Sequence, residues 1–513
     1  MRPGNRARRA AACLALGAVI ALGAGCGDGG NGGSSGAAAP ATRGVIEGFY
    51  GPLYDFDARL DLLRFLPQAG LNTYVYAPKS DPYHRSQWRD PYPDEWIDHF
   101  AALVRTAHEI GVRFVFALSP GTGFDPSGDD HATLERKLGT LFDVGVRDFC
   151  LLFDDLVASS AAADPSVQVQ IVTDTLSFLR ARDADTRLCF ISNYYAGTAD
   201  DVRADRTPFD GTFAVSSSAA YAAYAALPAD VAILWTGPHV FANPLTVADA
   251  AAFHDLVARP LVVWDNFPVN DVLLSHELFL SPYREREAGI GEAVDGVLLN
   301  TMLQPEASKI ALWTAGRFFA DGEGYDPDAA LQEALTRVAG SAAGGRVLAR
   351  LADQFRSHPL IGDERESPML ADRAAAFFAS QSPASETALR TLLQSFAATA
   401  DDLAHAVPNA RLVSELTDPA RKLSLYGQAG LLGLDLLDQA ARGEAVDTTA
   451  LQARLDAART IPWLVGANTT IGSGLDLFLS GRPAVHADEF GDFFSELSAA
   501  LAAHTSLTTA PTS

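Results

Sequence analysis

Cysteine is scarce in this sequence of 513 residues, which holds four cysteines and eleven histidines. Only Cys150 and Cys189 lie in the body of the chain, inside apolar stretches, and no CxxC or clustered Cys/His spacing accompanies them. The pattern therefore excludes a disulfide framework and gives no sign of a metal site. We expect no metal and no cofactor, and two buried thiols that act as small apolar groups.

Basic residues are also few. Lysine and arginine together number 39, against 63 aspartates and glutamates, and the formal net charge is −24. A surface of this sign repels phosphate backbones, so we expect no nucleic acid as a partner. Polyanionic polysaccharides are disfavoured as substrates for the same reason.

The apolar run near the N-terminus, residues 10–24, is too short to span a bilayer as an ordinary helix. Basic residues up to Arg9 precede it, which predicts an export signal over residues 1–25. The segment LGAGC resembles a bacterial lipobox with Cys26 as the acylated residue, although Gly23 departs from the usual pattern. Residues 26–42 are Gly/Ser-rich and predict a flexible linker. We expect an outward-facing lipoprotein that meets the cell membrane only through its lipid anchor, or otherwise a secreted protein.

Short apolar runs alternate with amphipathic stretches from residue 43 to residue 326. The runs are GVIEGFY (44–50), TYVYAP (73–78), RFVFALS (113–119), DFCLLFDD (148–155), LCFISN (188–193), VAILWTG (231–237), PLVVWDN (260–266) and DGVLLNT (295–301). Most are continuous rather than alternating, which is typical of a parallel sheet covered on both faces. Helical patterns between them end at glycines, as at Gly70 and Gly111. Eight such units over this length predict a (β/α)8 barrel.

Polar residues cluster at the carboxyl ends of these runs, where barrel enzymes carry their active sites. They are Glu47, Lys79, Asp154, Asp155, Asn193, Asp265, Asn266 and Asn300. Four aromatic residues near the same ends could form walls for a sugar ring, or pack inside the fold; they are Tyr76, Tyr195, Trp235 and Trp264.

The texture becomes Ala/Leu-rich and helical after the barrel. Apolar stripes at helical spacing predict an all-α bundle domain over residues 327–503, with no catalytic motif in it. One stripe includes Leu389, Leu393 and Phe396, and another includes Phe490 and Phe493. Residues 504–513 are expected to form a disordered tail.

The segment LLFDDL (151–156) places two aspartates side by side at the end of a predicted strand. Four interpretations are open. The pair could be structural, with one residue capping a helix; it could belong to a metal site, although further ligands are missing. Phosphoryl transfer would need a Gly-rich loop that the chain lacks. Glycoside hydrolysis uses paired carboxyl groups, and adjacent residues stand too close for the inverting mechanism, which needs about 6.5–9.5 Å. Both carboxyls can reach one pocket only if the chain bends there.

Seven segments together resemble glycoside hydrolase family 84, the β-N-acetylglucosaminidase and O-GlcNAcase family. They are GVIEGFYG (44–51), GLNTYVYAPKSDPYHR (70–85), FALSPG (116–121), LLFDDL (151–156), LWTGPHV (234–240), VVWDNFPVND (262–271) and LLNTMLQPEASKIAL (298–312), in family order. The C-terminal region is similar only loosely, as the helical domain that often follows. The resemblance implies a glycosidase with a (β/α)8 catalytic barrel.

The resemblance further implies a retaining, substrate-assisted, exo-acting β-N-acetylglucosaminidase that forms an oxazoline intermediate. Asp154 would hold the substrate's amide N–H, and Asp155 would protonate the leaving oxygen and then activate water. The implied sugar-binding residues are Gly48 (through its carbonyl), Lys79, Tyr195, Trp264, Asn266, Asp271 and Asn300. Tyr194 is an alternative to Tyr195, because ISNYYAG departs from the family pattern.

Two other functions stay open beside this one. One is an endo-acting, hyaluronan-degrading enzyme on the same scaffold, which the acidity disfavours. The other is a non-catalytic sugar-binding lipoprotein. In each case the expected partner is a glycan or glycoconjugate that contains N-acetylglucosamine.

Overall fold

The computed structural model describes residues 39–156, 159–206, 217–242, 244–357, 365–467 and 488–508. The predicted export signal, Cys26 and most of the predicted linker lie outside these residues. Eight parallel strands close into a barrel in sequence order. They are β1 (Thr42–Glu47), β2 (Thr73–Tyr76), β3 (Arg113–Leu118), β4 (Asp148–Leu152), β5 (Arg187–Ile191), β6 (Ala232–Trp235), β7 (Leu261–Asp265) and β8 (Gly296–Asn300). The predicted (β/α)8 barrel is confirmed, and β1 begins at the last residue of the predicted linker.

Side chains of the strands alternate between two separate cores. One set fills the barrel interior, as Ile46, Cys150, Leu152 and Leu298 do. The neighbouring residues point outward and pack under the helices. Both faces of each strand are therefore apolar. Cys150 lies opposite Cys189 in the register of β4 and β5, and both are free thiols.

Helices surround the barrel and connect its strands. They are α1 (Phe56–Phe65), α2 (Asp94–Glu109), α3 (Asp130–Asp143), α4 (Pro165–Arg180), α5 (Ala199–Arg203), α6 (Ser218–Tyr224), α7 (Val247–Val257), α8 (Ile290–Ala293) and α9 (Pro305–Asp321). Local signals start and stop them as the sequence indicates. The Asp55 carboxylate caps α1 by accepting a hydrogen bond from Ala58 N at 2.7 Å, and Gly70 and Gly111 take the left-handed backbone conformation beyond α1 and α2.

The C-terminal part is helical, as predicted. Its helices are α10 (Pro327–Ala339), α11 (Ala342–Ala352), α12 (Pro368–Ser380), α13 (Pro383–Ala397), α14 (Thr399–Ala406), α15 (Ala410–Ala441), α16 (Thr449–Arg459) and α17 (Glu489–Thr508). The long helix α15 packs closely against α13 and α17. A Cβ atom at Gly427 would lie 2.4 Å from Ala397 N, and one at Gly433 would lie 2.1 Å from Leu497 Cδ2.

One difference from the sequence expectation concerns the end of the chain. Helix α17 continues to Thr508, past the predicted bundle boundary at residue 503, because no proline or glycine interrupts the chain between Gly491 and Pro511. In the parts of the chain that the structure describes, no helix combines the length and the apolar character that crossing a bilayer would require.

The bundle also supplies hydrogen bonds to the barrel. Helix α9 has no side-chain cap of its own. Instead, the Glu415 carboxylate of α15 accepts hydrogen bonds from Glu306 N at 3.1 Å and Ala307 N at 2.8 Å. The backbone N–H of Leu464 likewise donates to His276 O at 3.0 Å, in the loop that follows β7. The described residues accordingly form one compact unit.

Candidate active site

A cavity of about 280 Å³ opens at the carboxyl ends of the strands. It brings together all nine side chains and backbone groups that the resemblance implies, from six different strand ends or the loops behind them. They are Gly48, Lys79, Asp154, Asp155, Tyr195, Trp264, Asn266, Asp271 and Asn300. All of them face the same space.

The two adjacent aspartates enter the cavity through a bend of the backbone. Strand β4 ends at Leu152, which faces the barrel interior, so the alternation of side chains directs Asp154 inward as well. A regular strand would point Asp155 outward. Its backbone instead takes a left-handed conformation with φ of 55°, a rare one for residues other than glycine, and this bend turns the second carboxylate toward the cavity.

The two carboxylates have different surroundings. Asp154 is buried and forms an ion pair with the ammonium group of Lys79, which holds its Oδ2. Asp154 Oδ1 is buried without a hydrogen-bond partner among the described residues. Asp155 accepts hydrogen bonds from two phenols, Tyr50 Oη at 2.7 Å and Tyr195 Oη at 2.9 Å. One carboxylate thus has a fixed cationic partner, and the other has two neutral donors.

The two phenols act as donors because they stay protonated. Burial, together with the nearby charge of Asp155, raises the pKa of both Tyr50 and Tyr195. The backbone N–H of Tyr50 also donates to Asp271 Oδ2 at 2.7 Å. Burial raises the pKa of Asp271, and this hydrogen bond opposes the shift. Tyr50 therefore connects the carboxylate at the end of β4 to the one in the loop after β7.

A row of amides forms the floor of the cavity. The Asn266 Oδ1 atom accepts hydrogen bonds from Trp264 Nε1 and from Asn300 Nδ2, both at 3.0 Å. Asn266 Nδ2 donates to the Val240 carbonyl at 2.8 Å, and Gly48 N donates to Asn300 Oδ1 at 3.0 Å. These hydrogen bonds fix the orientation of the Asn266 and Asn300 side-chain amides. The positions of the amide N–H donors and oxygen acceptors at the cavity floor are therefore fixed as well.

Gly48 must be a glycine because the indole of Trp264 lies directly against it. A Cβ atom at position 48 would be 2.2 Å from Trp264 Cζ2. The ammonium group of Lys79 also lies over this indole, with its Nζ 5.0 Å from the ring centroid. Backbone and side chains thus hold one flat apolar wall in place.

Several residues expected at this face lie elsewhere, because successive strand residues point to opposite sides. Glu47 points outward and pairs with Arg59 at 2.7 Å, and Asp265 pairs with Arg286 at 2.9 Å. Asn193 is a separate case: it follows the end of β5 and, instead of lining the cavity, accepts a hydrogen bond from Gln168 at 2.7 Å.

The same rule separates the four aromatic candidates. Trp235 points outward, where it stacks on Phe253 at 4.4 Å between ring centroids, and Tyr76 donates from its outward-facing phenol to Asp81 at 2.8 Å. Both are packing residues, which is the second of the two interpretations that the sequence left open for them. Trp264 and Tyr195 line the cavity, and Tyr194 is not among its lining residues.

Sequence reasoning missed other residues of the cavity wall. Tyr50 lies within a quoted motif, GVIEGFYG, but its contact with Asp155 depends on two loops that meet only in the fold. Val272 and Leu273 line the mouth of the cavity. The sequence feature that could have pointed to them is an apolar pair directly after Asp271, at the end of the motif VVWDNFPVND. Among the described residues, no group of three or more histidine, cysteine, aspartate or glutamate side chains could hold a metal ion.

Comparisons with known proteins agree with this geometry. A family model described as beta-N-acetylglucosaminidase matches residues 43–353. Protein O-GlcNAcase of Rattus norvegicus is 33% identical over 296 residues, which are 56% of this chain and 31% of the relative, and that of Mus musculus is 33% identical over 295 residues. This chain therefore matches about a third of the length of those relatives.

Solved structures extend the likeness to the helical part. A mutant of the O-GlcNAc hydrolase of Thermobaculum terrenum superposes with a TM-score of 0.73 at 24% identity, covering 91% of this chain and 97% of that one. The protein called CpGH84B gives a TM-score of 0.68 at 25% identity, over 83% of this chain and 75% of that one. The first of these shows the shared fold alone.

Proposed function

The chain belongs to the β-N-acetylglucosaminidase family, glycoside hydrolase family 84, and we propose that it releases terminal β-linked N-acetylglucosamine from glycoconjugates with retention of configuration. The observation that carries the proposal is the pair of adjacent carboxylates that share one cavity but differ in their partners. Its relatives are named Protein O-GlcNAcase, and we expect this enzyme to be a hydrolase of the same type.

In the first step, the substrate's own acetamido group replaces an enzyme nucleophile. The amide oxygen attacks the anomeric carbon, and the bond from that carbon to the leaving oxygen breaks. Asp154, kept next to Lys79, accepts a hydrogen bond from the amide N–H and stabilises the positive charge that develops as the oxazoline ring closes. Asp155 gives its proton to the leaving oxygen at the same time. Neither carboxylate attacks carbon, so the two can be neighbours in the chain.

The second step reverses the direction of the proton. Asp155, now ionised, takes a proton from a water molecule, and the resulting hydroxide equivalent attacks the anomeric carbon. The bond between that carbon and the acetamido oxygen breaks, which restores the amide. Two inversions at one carbon give overall retention.

The rest of the cavity would hold the sugar in place. Trp264 offers a flat apolar face for the acetamido methyl group, and Asn266, fixed by Trp264 and Asn300, orients the amide. Asp271, Asn300 and the Gly48 carbonyl would bind ring hydroxyls. The small volume of the cavity supports an exo-acting enzyme that takes one terminal sugar.

The experiment uses a series of aryl β-N-acetylglucosaminides with leaving groups of increasing basicity. We expect Asp155→Gly, which suits the left-handed backbone at this position, to slow poor leaving groups by about 10²–10⁴-fold and to spare dinitrophenolate in the first step. Azide should rescue this variant by attacking the oxazoline. Asp154→Ala should slow all leaving groups alike and resist rescue by azide. Reversed dependences would exchange the two roles, and full activity of both variants would remove the proposal.

Two further assays separate the other functions. Sugar binding without turnover by the wild-type protein would favour the non-catalytic alternative. Internal cleavage of hyaluronan, seen as a rapid fall in polymer length, would favour the endo-acting one.

For its location, we propose an exported lipoprotein anchored through Cys26. Replacement of Cys26 by Ser should release the protein from the membrane fraction. A mature wild-type protein that is free in solution and starts several residues away from position 26 would instead indicate plain secretion.

A further inference from the structure

Two exposed apolar side chains stand at the mouth of the cavity. Val272 is 65% exposed and Leu273 is 58% exposed; the one other large apolar side chain that is exposed among the described residues is Met369, at 40%. Both residues of the pair line the same cavity as Asp155 and Asp271. An apolar pair left in water at the entrance of a binding site is a feature that needs an explanation.

The backbone holds this pair in a strained turn. Val272 has a φ of 51°, in the left-handed region, which is unfavourable for a β-branched side chain. Its neighbours fix it on both sides. Leu274 N donates to the Asp271 carbonyl at 2.9 Å, and the side chain of Leu274 is buried. On the other side, the Asp271 carboxylate is tied to Tyr50 N. The fold therefore maintains the exposed position of Val272 against its local preference.

The position of the general acid indicates what reaches this pair. Asp154, Trp264 and Asn300 are buried at the cavity floor, whereas Asp155 and Tyr50 are half-buried nearer its mouth. The leaving group contacts Asp155, so it extends from there toward solvent. Tyr50 donates to Asp155 through its phenol and to Asp271 through its backbone, which places Val272 one residue beyond this link.

We propose that Val272 and Leu273 form a contact surface for the aglycone, and that the enzyme prefers N-acetylglucosaminides whose aglycone carries an apolar group next to the cleaved bond. The inference rests on the proposed function and adds a substrate class to it. The apolar group would cover the exposed faces of the two side chains while the sugar occupies the buried floor.

The test compares methyl and octyl β-N-acetylglucosaminides, the latter below its micellar concentration. Their leaving groups are unbranched alkoxides of similar basicity, so the ratio of the two kcat/KM values reports contacts with the alkyl chain. Each buried methylene contributes about fourfold, and we expect the wild-type ratio to favour octyl by about tenfold or more. Val272→Asn combined with Leu273→Ser should remove most of that preference, since asparagine tolerates the left-handed backbone. Met369→Ser, the matched control, should keep the wild-type ratio.

The possible outcomes are distinct. A wild-type ratio near one, or a ratio that the double variant leaves unchanged, would overturn the inference while the proposed function stands. Turnover of neither substrate by the wild-type protein would remove the proposed function and the inference together. If sedimentation showed that the double variant converts a dimer to a monomer with no change in the ratio, a second copy of the chain would be the occupant, and the aglycone site would be wrong.

Discussion

Tyr50→Phe tests whether the phenols around Asp155 assist the reaction. The substitution removes the hydrogen bond from Tyr50 Oη to Asp155 Oδ2. The backbone bond to Asp271 stays, as does the aromatic ring beside Arg85. In the proposed mechanism Asp155 becomes negative as it gives up its proton, so the lost donor would destabilise the transition state of the first step more than the ground state.

The size of the effect follows from the geometry. A hydrogen bond to a charged group contributes about 1.5–3 kcal/mol. Tyr195 continues to donate to the other oxygen, and Tyr50 is half-buried, so the lower part of this range applies. A loss of about 1.5 kcal/mol lowers kcat/KM by about tenfold for poor leaving groups. Dinitrophenyl substrates should be nearly unaffected, because they need no proton.

The assay measures kcat/KM across the leaving-group series for Tyr50→Phe, Tyr195→Phe and the control Tyr194→Phe, whose side chain does not line the cavity. If Tyr195 also anchors the acetamido group, its variant will slow good and poor leaving groups alike, unlike Tyr50→Phe. In a background of Asp155→Gly, Tyr50→Phe should cause no further loss. An equal loss for all leaving groups, or a full additional loss in the Asp155→Gly background, would refute the reasoning.

Four other predictions follow from the packing and the charges. Gly48→Ala places a Cβ atom against Trp264 and should lower kcat/KM by about 100-fold through a displaced indole, with an unchanged melting temperature as the control. Burial raises the pKa of Glu366 from 4.5 to about 8. The folded state therefore binds a proton that the unfolded state releases, and stability should fall by a few kcal/mol as the pH rises from about 4.5 to 8; Glu366→Gln should flatten that slope in urea unfolding. Glu415→Ala leaves two N–H groups of α9 without their acceptor and should cost about 1–2 kcal/mol in the same measurement, whereas Glu444→Ala, at an exposed site, should not. EDTA should leave the activity unchanged, and restoration of a lost activity by a divalent ion would contradict this.

The order of the eight strands could be read from the sequence because each one is a separate apolar run. The predicted ends were less accurate, and the error has a common cause. At β4 and β7 the runs were extended to Asp155 and Asn266, but the strands end at Leu152 and Asp265. Their last polar residues have left the hydrogen-bonded ladder to line the cavity. Hydropathy alone does not show where a strand leaves the hydrogen-bonded ladder, so it places the strand end too late.

The composition of the site was predictable to a different degree at each position. Motifs identified residues such as Asp154 and Asn300, because a family preserves the order of its segments. Strict alternation along β7 explains why Trp264 and Asn266 face the cavity while Asp265 does not. Tyr50 and Val272 could not be placed in this way. The contact of Tyr50 with Asp155 joins residues 105 positions apart, and the left-handed turn at Val272 contradicts the preference of valine itself.

The carboxylate that Glu415 lends to α9 means that the barrel is not a self-contained module. A gene fragment that ended after α9 would encode every residue of the cavity, yet it would leave the start of its last helix incomplete and the loop after β7 without the contact from Leu464. Exchange of the helical part between related enzymes therefore meets a precise requirement. The incoming domain must supply a hydrogen-bond acceptor at the start of α9 and a hydrogen-bond donor to the His276 carbonyl. A swap that matched only length and helix content would leave the cavity-lining loop after β7 without that contact.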